Sequence, residues 1–329
     1  MKIVQNSKSD DLTKKEKHSL FLLGLIFILG CFYVLGNRTE AFFEELTPEQ
    51  SQIILSHMTD NRINQFFENL DLKASSVLIR SSDSDENIYA KDTEKVMPLA
   101  SLVKIMTTII AIENIDQNEV IKIPKESLGL AGDNGLLVDE KWGRDEFLRF
   151  MLITSSNDAT RAVSMHVGAK NGFKDSEQST KYFVDLMNKK ATDMGLSNTY
   201  FLNESGLDQE DGKNGGYSNV KEIVVLFDYA IKNYPDIFNS TAVESQKFIS
   251  SSSISHEALN TNPYTKLISG ISASKTGFTN ISGGNLIVSF VTPENKTIIA
   301  GVLGSTFADR FTDIEKLSNT TLKIINEVQ

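Results

Sequence analysis

Strand-like segments stand near both ends of this chain and enclose a long helical stretch. Residues 77–79 and 88–90 flank the polar segment RSSDSDEN, a pattern typical of two short strands joined by a turn. Residues 286–291 and 297–303 are apolar and are separated by TPENK, which predicts a second hairpin, and residues 311–325 follow as an amphipathic helix. This order predicts an α+β fold in which an antiparallel sheet of N- and C-terminal strands packs with a helical middle region.

The middle region shows helical periodicity in five segments. They are residues 102–115, 147–153, 159–167, 183–194 and 220–234. Pro98 stands just ahead of the first segment as a start signal, and the polar residues TSSND interrupt the second and third. We therefore expect a break between two helices near residue 155.

Residues 20–36, LFLLGLIFILGCFYVLG, carry no charge, and no other uncharged stretch approaches membrane-spanning length. A helix of this length, extended slightly by its flanks, approaches the roughly 30 Å thickness of a bilayer core. Lysines precede the run and glutamates dominate the residues after it, so the positive-inside rule leaves the N-terminus in the cytoplasm. We predict a cytoplasmic tail at 1–19, a transmembrane signal-anchor at 20–36, a helical spacer at 37–72 and an extracytoplasmic domain at 73–329, held at the cell membrane. A cleaved signal peptide and lipoprotein processing at Cys31 remain alternatives.

Composition excludes several classes of function. The formal net charge of −10 argues against nucleic acid as a partner, because phosphate binding needs clustered Lys and Arg. The single cysteine lies inside the apolar run, so the folded domain has no disulfide or cysteine-based metal site. His18 and His57 precede the domain, and His166 and His256 belong to no metal or nucleophile-elbow motif. We predict no metal and no cofactor, and we expect Trp142 to be a packing residue.

Ser101-Leu102-Val103-Lys104 opens the first helix of the middle region. Residues i and i+3 share a helix face, so the hydroxyl and the amine can meet within one turn. Where no histidine serves as base, a lysine whose pKa is lowered by burial can take the proton of a serine nucleophile. The spacing alone is weak, because it recurs in SNVK at 218–221 and in SASK at 272–275.

Two further motifs make the pattern specific. Ser155-Ser156-Asn157 is the only Ser-x-Asn in the chain and lies in the break between two helices, while Lys275-Thr276-Gly277 is the only Lys-Thr-Gly and stands near the first strand of the C-terminal hairpin. Each alone fits an ordinary helix cap or a solvated strand edge. The ordered set Ser-x-x-Lys, Ser-x-Asn, Lys-Thr-Gly characterises penicillin-binding proteins and class A β-lactamases.

With these motifs the chain resembles the D-alanyl-D-alanine carboxypeptidase family of low-molecular-weight penicillin-binding proteins, serine peptidase family S11, from about residue 75 to residue 303. The resemblance is carried by MPLASLVKIMT, LITSSNDAT, FVDLMNKKATDMGLSNTYFLNESGL and ISASKTGFTNISGGNLIVS. It implies a β-lactamase/transpeptidase-like fold and makes 73–329 a serine D,D-peptidase domain. The implied activity is that of a penicillin-sensitive carboxypeptidase that trims peptidoglycan stem peptides through an acyl-enzyme, with β-lactam antibiotics as covalent inhibitors.

The resemblance also implies roles for individual residues. Ser101 is the acylated nucleophile, Lys104 its base, and Ser155 the relay that protonates the leaving D-alanine. The substrate-binding residues are Asn157, Lys275, Thr276, Gly277 and Phe278. Among these, Lys275 and Thr276 hold the substrate carboxylate, and the backbone N–H groups of Ser101 and Phe278 form the oxyanion hole.

Three alternative functions stay open. A D,D-endopeptidase and a β-lactamase share this fold, and a non-catalytic penicillin- or peptidoglycan-binding module can retain it. Class A β-lactamases deacylate through a glutamate acting on a bound water. Here Glu204 has Asp208 four residues on, where those enzymes carry an Asn that helps to hold the water. We therefore expect penicillin to inhibit the protein without being efficiently destroyed.

Overall fold

A five-stranded antiparallel sheet of order β10-β11-β12-β1-β2 forms the centre of the computed structural model, which describes residues 63–132 and 134–327. The strands in chain order are β1 (Ser76–Ser81), β2 (Asn87–Lys91), β3 (Met97–Pro98), β4 (Val120–Lys122), β5 (Lys141–Gly143), β6 (Tyr200–Phe201), β7 (Gly216–Ser218), β8 (Ser245–Ile249), β9 (Ser255–Leu259), β10 (Ile271–Thr279), β11 (Gly283–Val291) and β12 (Thr297–Ser305). Because β12 pairs with both β11 and β1, the two ends of the described chain close one sheet.

Seven α-helices follow the first strand of this sheet in the described part of the chain. They are α1 (Val103–Asn114), α2 (Arg144–Thr154), α3 (Asn157–Lys170), α4 (Ser176–Asp193), α5 (Val220–Asn233), α6 (Pro235–Phe238) and α7 (Asp309–Glu327). The five predicted middle helices and the C-terminal helix are confirmed, as is the antiparallel sheet of N- and C-terminal strands.

Both faces of the sheet are covered. In β1, Val77 and Ile79 belong to the core that α7 covers, whereas Leu78 belongs to the larger core among the other helices. Successive strand residues point to opposite faces, so a strand covered on both sides is buried without alternation, and residues 76–79 are all buried. Residues 63–68 are helical and join the α7 side, where the Phe67 ring stacks on Tyr89 at 4.7 Å between centroids.

The third motif lies in a strand that the sequence did not reveal. Lys275-Thr276-Gly277 is part of β10, which pairs along its length with β11, so the predicted C-terminal hairpin is a three-stranded meander. The segment ISASKTGFT shows no alternation of apolar and polar residues. Several of its polar residues are buried in the fold, so its sequence does not reveal that it is a buried strand. The hairpin of β8 and β9 was also missed.

The predicted cytoplasmic tail, signal-anchor and most of the spacer lie outside the described residues. Within residues 63–132 and 134–327, no helix has the combined length and apolar character needed to cross a bilayer.

Candidate active site

Ser101 lies in a short 3-10 turn, Ala100–Leu102, that leads directly into α1. Ala100 has a φ of +49°, and a non-glycine residue in this left-handed region costs of order 1–3 kcal/mol. Two glycines make room for the turn: a Cβ on Gly206 would overlap the Ala100 carbonyl oxygen, and one on Gly277 would lie 2.7 Å from the Leu99 carbonyl oxygen. The turn that carries Ser101 is thus wedged between the Gly206 loop and β10.

Lys104 reaches back from the first turn of α1 to Ser101. Its Nζ donates to Ser101 Oγ at 2.9 Å, to Asn157 Oδ1 at 2.7 Å and to the Ser205 carbonyl at 2.8 Å. The side chain is fully buried, and this burial lowers its pKa from 10.5 to about 7, although the negative charge of Glu204 opposes the change. A substantial fraction of Lys104 is therefore neutral near pH 7 and able to accept a proton.

The second motif occupies the junction of α2 and α3. Ser155 ends α2 with a φ of +58°, and Ser156 Oγ accepts the Ala159 N–H at 3.1 Å as the cap of α3. Asn157 begins α3, and its Nδ2 donates to the Ala131 carbonyl at 2.5 Å while its Oδ1 binds Lys104. The left-handed residue ends α2 just before α3 begins, and in this junction Ser155 and Asn157 bind the two lysines of the site while Ser156 caps α3.

Lys275 of β10 connects the third motif to the second. Its Nζ donates to Ser155 Oγ and to its neighbour's carbonyl, Thr276 O, at 2.9 Å each. Only 2% of Lys275 is exposed. Its pKa lies well below the ordinary lysine value, first because of burial and then because of the charges of Lys104 and Arg310. The structure thus brings two serine–lysine pairs together through Asn157 and the short junction between the helices.

The remaining predicted residues lie along β10. Thr276 Oγ1 is 2.6 Å from Thr261 Oγ1, and Gly277 faces the Ser101 turn, with its hypothetical Cβ 3.3 Å from Ser101 N. Phe278 is 41% exposed and contacts the Phe307 ring edge-on at 4.9 Å between centroids.

Arg310 is a site residue that sequence reasoning missed. Its Nη1 donates to the Gly277 carbonyl at 2.9 Å, and its guanidinium lies 4.6 Å from the Phe311 ring centroid and 4.7 Å from that of Phe307. Burial lowers its pKa to about 10. Among the described residues, no carboxylate forms an ion pair with Arg310 or Lys275. No motif marks this arginine, because only the packing of α7 brings it to β10.

The two other Ser-x-x-Lys sequences do not form serine–lysine pairs. Ser218 Oγ bonds to Thr199 Oγ1 at 2.7 Å, while Lys221 pairs with Glu94 at 3.0 Å. Ser272 Oγ bonds to Ser289 Oγ. Ser101 is thus separated from these serines by the hydrogen bond that Lys104 makes to its Oγ, and not by spacing.

The histidines of the described chain have partners in the fold. His166 bonds to Glu119 Oε1 at 2.8 Å, and the buried His256 bonds to Glu140 Oε1 at 2.7 Å beneath Trp142. Trp142 is fully buried, which confirms its packing role. Within the described residues, no group of three or more His, Cys, Asp or Glu side chains is arranged to hold a metal ion.

This geometry agrees with the comparison to known protein families. The model of the D-alanyl-D-alanine carboxypeptidase family, Peptidase S11, matches residues 63–306. The chain belongs to this family. The resemblance seen in the sequence is therefore confirmed.

Curated relatives of this family member include carboxypeptidases and endopeptidases. The D-alanyl-D-alanine carboxypeptidase DacF of Bacillus subtilis is 27% identical over 63% of this chain and 51% of its own length. The carboxypeptidase DacA of Haemophilus influenzae is 23% identical over 75% and 61%. A D-alanyl-D-alanine endopeptidase of Escherichia coli is 25% identical over 66% and 67%. The chain thus spans only about half to two thirds of the length of these relatives.

Solved structures show the same fold. The DD-transpeptidase of Streptomyces K15 matches with a TM-score of 0.69 and 22% identity over 77% of this chain and 98% of its own. Penicillin-binding protein D2 of Listeria monocytogenes, in its ampicillin-bound form, matches with a TM-score of 0.63 and 27% identity over 77% and 98%. The penicillin-binding-protein fold is therefore established for the described domain.

Proposed function

We propose that the protein is a penicillin-sensitive serine D-Ala-D-Ala carboxypeptidase that trims peptidoglycan stem peptides. The observation that carries this proposal is the convergence of two serine–lysine pairs, Ser101 with the buried Lys104 and Ser155 with the buried Lys275, in a chain of this family. The first pair supplies a nucleophile with its base, and the second supplies a proton path on the other side of the scissile bond.

In acylation, neutral Lys104 takes the proton of Ser101 Oγ while that oxygen forms a bond to the carbonyl carbon of the penultimate D-alanine. The negative charge that develops on the carbonyl oxygen is stabilised by the N–H groups of Ser101 and Phe278, and one such donor is worth about 10²–10³ in rate. Ser155 passes its hydroxyl proton to the amide nitrogen and takes a proton in return from Lys275, whose Nζ donates to Ser155 Oγ. The C–N bond then breaks, D-alanine leaves, and water hydrolyses the ester on Ser101.

The charge of the site fits a substrate that carries a carboxylate next to the scissile amide. Lys275 and Arg310 are basic side chains with no carboxylate partner among the described residues, and they lie at either end of the Lys-Thr-Gly backbone. A bound carboxylate would favour the charged form of Lys275. Thr276 supplies a hydroxyl between them. These three residues would bind the terminal carboxylate of D-alanine, and Asn157 would orient the preceding amide.

A β-lactam would enter the same site as a substrate mimic and acylate Ser101. Glu204 is fully buried, and its Oε1 accepts a hydrogen bond from Arg161 Nε at 2.5 Å. Glu204 also has Asp208 four residues on, where class A β-lactamases carry the Asn that helps to hold the deacylating water, so we expect the penicilloyl ester to persist. One opening event per molecule should be followed by slow turnover, well below the ordinary enzyme rate of about 10 s⁻¹.

We further propose that residues 20–36 anchor the protein in the membrane after a cytoplasmic tail at 1–19. The spacer at 37–72 would then hold the peptidase domain, 73–329, at the outer face of the membrane. The uncharged run and the lysines that precede it support this arrangement.

Mass spectrometry of the protein after exposure to penicillin tests the proposal. We expect one covalent adduct on Ser101, lost in Ser101→Ala and kept in the matched controls Ser218→Ala and Ser272→Ala. Release of D-alanine from diacetyl-Lys-D-Ala-D-Ala tests turnover. Labelling that survives Ser101→Ala would exclude the assigned nucleophile, and cleavage of cross-linked peptides without D-alanine release would make the protein an endopeptidase.

A further inference from the structure

We propose that Asn214 is a positioning residue that fixes the two N–H donors of the oxyanion hole, those of Ser101 and Phe278, relative to each other. This inference deepens the proposed function and rests on it. Asn214 lies in the segment DGKNGGYS, which carries none of the three motifs, and its side chain is fully buried.

The Asn214 amide bonds to the residues that flank both donors. Its Oδ1 accepts the N–H of Ala100, the residue before Ser101, at 3.1 Å. Its Nδ2 lies 3.3 Å from Thr279 Oγ1, one residue after Phe278, and donates to it. One planar side chain therefore spans the gap between the nucleophile turn and the end of β10.

Three further hydrogen bonds hold the amide itself in place. Its Oδ1 also accepts the Gly216 N–H at 3.2 Å, and its Nδ2 lies 3.0 Å from the Gly206 carbonyl and 2.8 Å from Asp208 Oδ1. Because the NH2 group has two N–H donors for these two acceptors and Thr279 Oγ1, one N–H is shared between two of them. A backbone N–H can only donate, and a carbonyl or carboxylate oxygen can only accept. These partners fix one orientation of the Asn214 amide, with Oδ1 facing the N–H groups and Nδ2 facing the oxygens. Among side chains of this size, only an amide offers both an oxygen acceptor and NH2 donors.

The Ala100 backbone needs such a restraint. Its positive φ is strained, and strained residues persist where surrounding contacts over-determine them. Gly206 and Gly277 allow close approach on either side of the turn, but they have no side chain that could hold the Ala100 peptide by a hydrogen bond. The hydrogen bond from Ala100 N to Asn214 supplies the directional contact that sets where the next N–H, that of Ser101, points.

The test is a comparison of Asn214→Leu with the wild-type protein. Leucine is close in size but makes none of the five hydrogen bonds. Asn219→Leu is the matched control, because Asn219 is also fully buried but caps α5 by accepting the Glu222 N–H at 2.8 Å. Active sites are counted by penicillin titration, so that misfolded molecules do not enter the rates. We then measure kcat/KM for D-alanine release and the inhibition constant of a boronic acid in which boron replaces the scissile carbonyl carbon.

The boronic acid distinguishes positioning from folding. Its boron accepts the electron pair of Ser101 Oγ and becomes tetrahedral, so one of its hydroxyl groups occupies the oxyanion hole. We expect Asn214→Leu to lower kcat/KM per active site by about 10- to 100-fold, the scale of a misplaced hole donor, and to raise the boronate inhibition constant by the same factor. Asn219→Leu should change neither quantity per active site, although it lowers thermal stability.

A boronate inhibition constant equal to that of the wild type in Asn214→Leu would overturn the proposal. If Asn214→Leu does not fold, Thr279→Val decides the question, because it removes the acceptor on the β10 side, and Ser282→Ala is its control, because the Thr279 hydroxyl also bonds to Ser282. A proportional fall of kcat/KM and boronate affinity in Thr279→Val supports positioning, and unchanged values refute it. A wild-type protein that neither releases D-alanine nor binds the boronate would instead refute the proposed function.

Discussion

The rate at which penicillin acylates Ser101 should follow the titration of Lys104. The buried amine must be neutral to accept the Ser101 proton, and its pKa is lowered to about 7 by burial. A base with this pKa is about 90% neutral at pH 8 and about 1% neutral at pH 5, so acylation should slow about 90-fold over that range. An ordinary, exposed lysine would remain almost wholly protonated at both values.

The environment of Lys104 allows a test with opposite signs. The charge of Glu204 raises the pKa of Lys104, so Glu204→Gln should move the midpoint of the acylation profile to lower pH. Arg161 pairs with Glu204, and Arg161→Gln leaves the carboxylate charge unopposed, so the midpoint should move to higher pH. Lys275 is the other titratable neighbour and remains unchanged in both variants.

The assay is the second-order rate constant for labelling by a fluorescent penicillin between pH 5 and pH 9, with the labelled fraction read at completion. A flat profile in the wild type would refute the assignment of Lys104 as a base with a lowered pKa. Midpoints that move in the same direction in both variants would show that the ion pair acts on folding and not through its charge.

Three other outcomes can be measured. Between pH 7 and pH 10.5, Lys104 is more fully protonated in the unfolded chain than in the folded one. The free energy of unfolding should therefore rise with pH by up to about 1.4 kcal/mol per pH unit from this residue. Urea titrations of Lys104→Met should lack that contribution. Gly206→Ala should lose more than about 1 kcal/mol of stability and slow acylation, because its Cβ would overlap Ala100, whereas Gly212→Ala, with a similar φ of +81° and no atom within 4 Å, should acylate normally. A chain without residues 1–37 should be soluble and active, and its continued association with membranes would show a second lipid-binding segment.

The strands and helices were largely predictable because their signals are local. The apolar side chains of β11, β12 and α1 would have to be buried in any compact fold, so their spacing along the chain predicts a strand or a helix directly. β10 was not predictable in this way, since residues such as Ser274 and Thr276 are polar and are buried only because other segments cover them.

The amino-acid sequence by itself determined which residues were candidates for chemistry. Three motifs in one order are specific as a set, and Ser101 and Lys104 are brought onto one helix face by their spacing alone. Sequence could not select Ser101 over Ser218 and Ser272 by spacing, since all three have a lysine three residues on. The signal that separated them was the place of Ser101 at the start of an apolar helix upstream of the other two motifs.

The tertiary structure alone decided what these residues can do. Ser155 and Lys275 are 120 positions apart and become a hydrogen-bonded pair only when β10 packs beside the junction of α2 and α3. The lowered pKa of Lys104 depends on complete burial, and the contacts of Arg310 and Asn214 depend on α7 and a loop that approach from distant parts of the chain. Desolvation and hydrogen bonding act through space, so a local pattern can nominate a group but cannot fix its charge, its partner or its distance from the reacting atom.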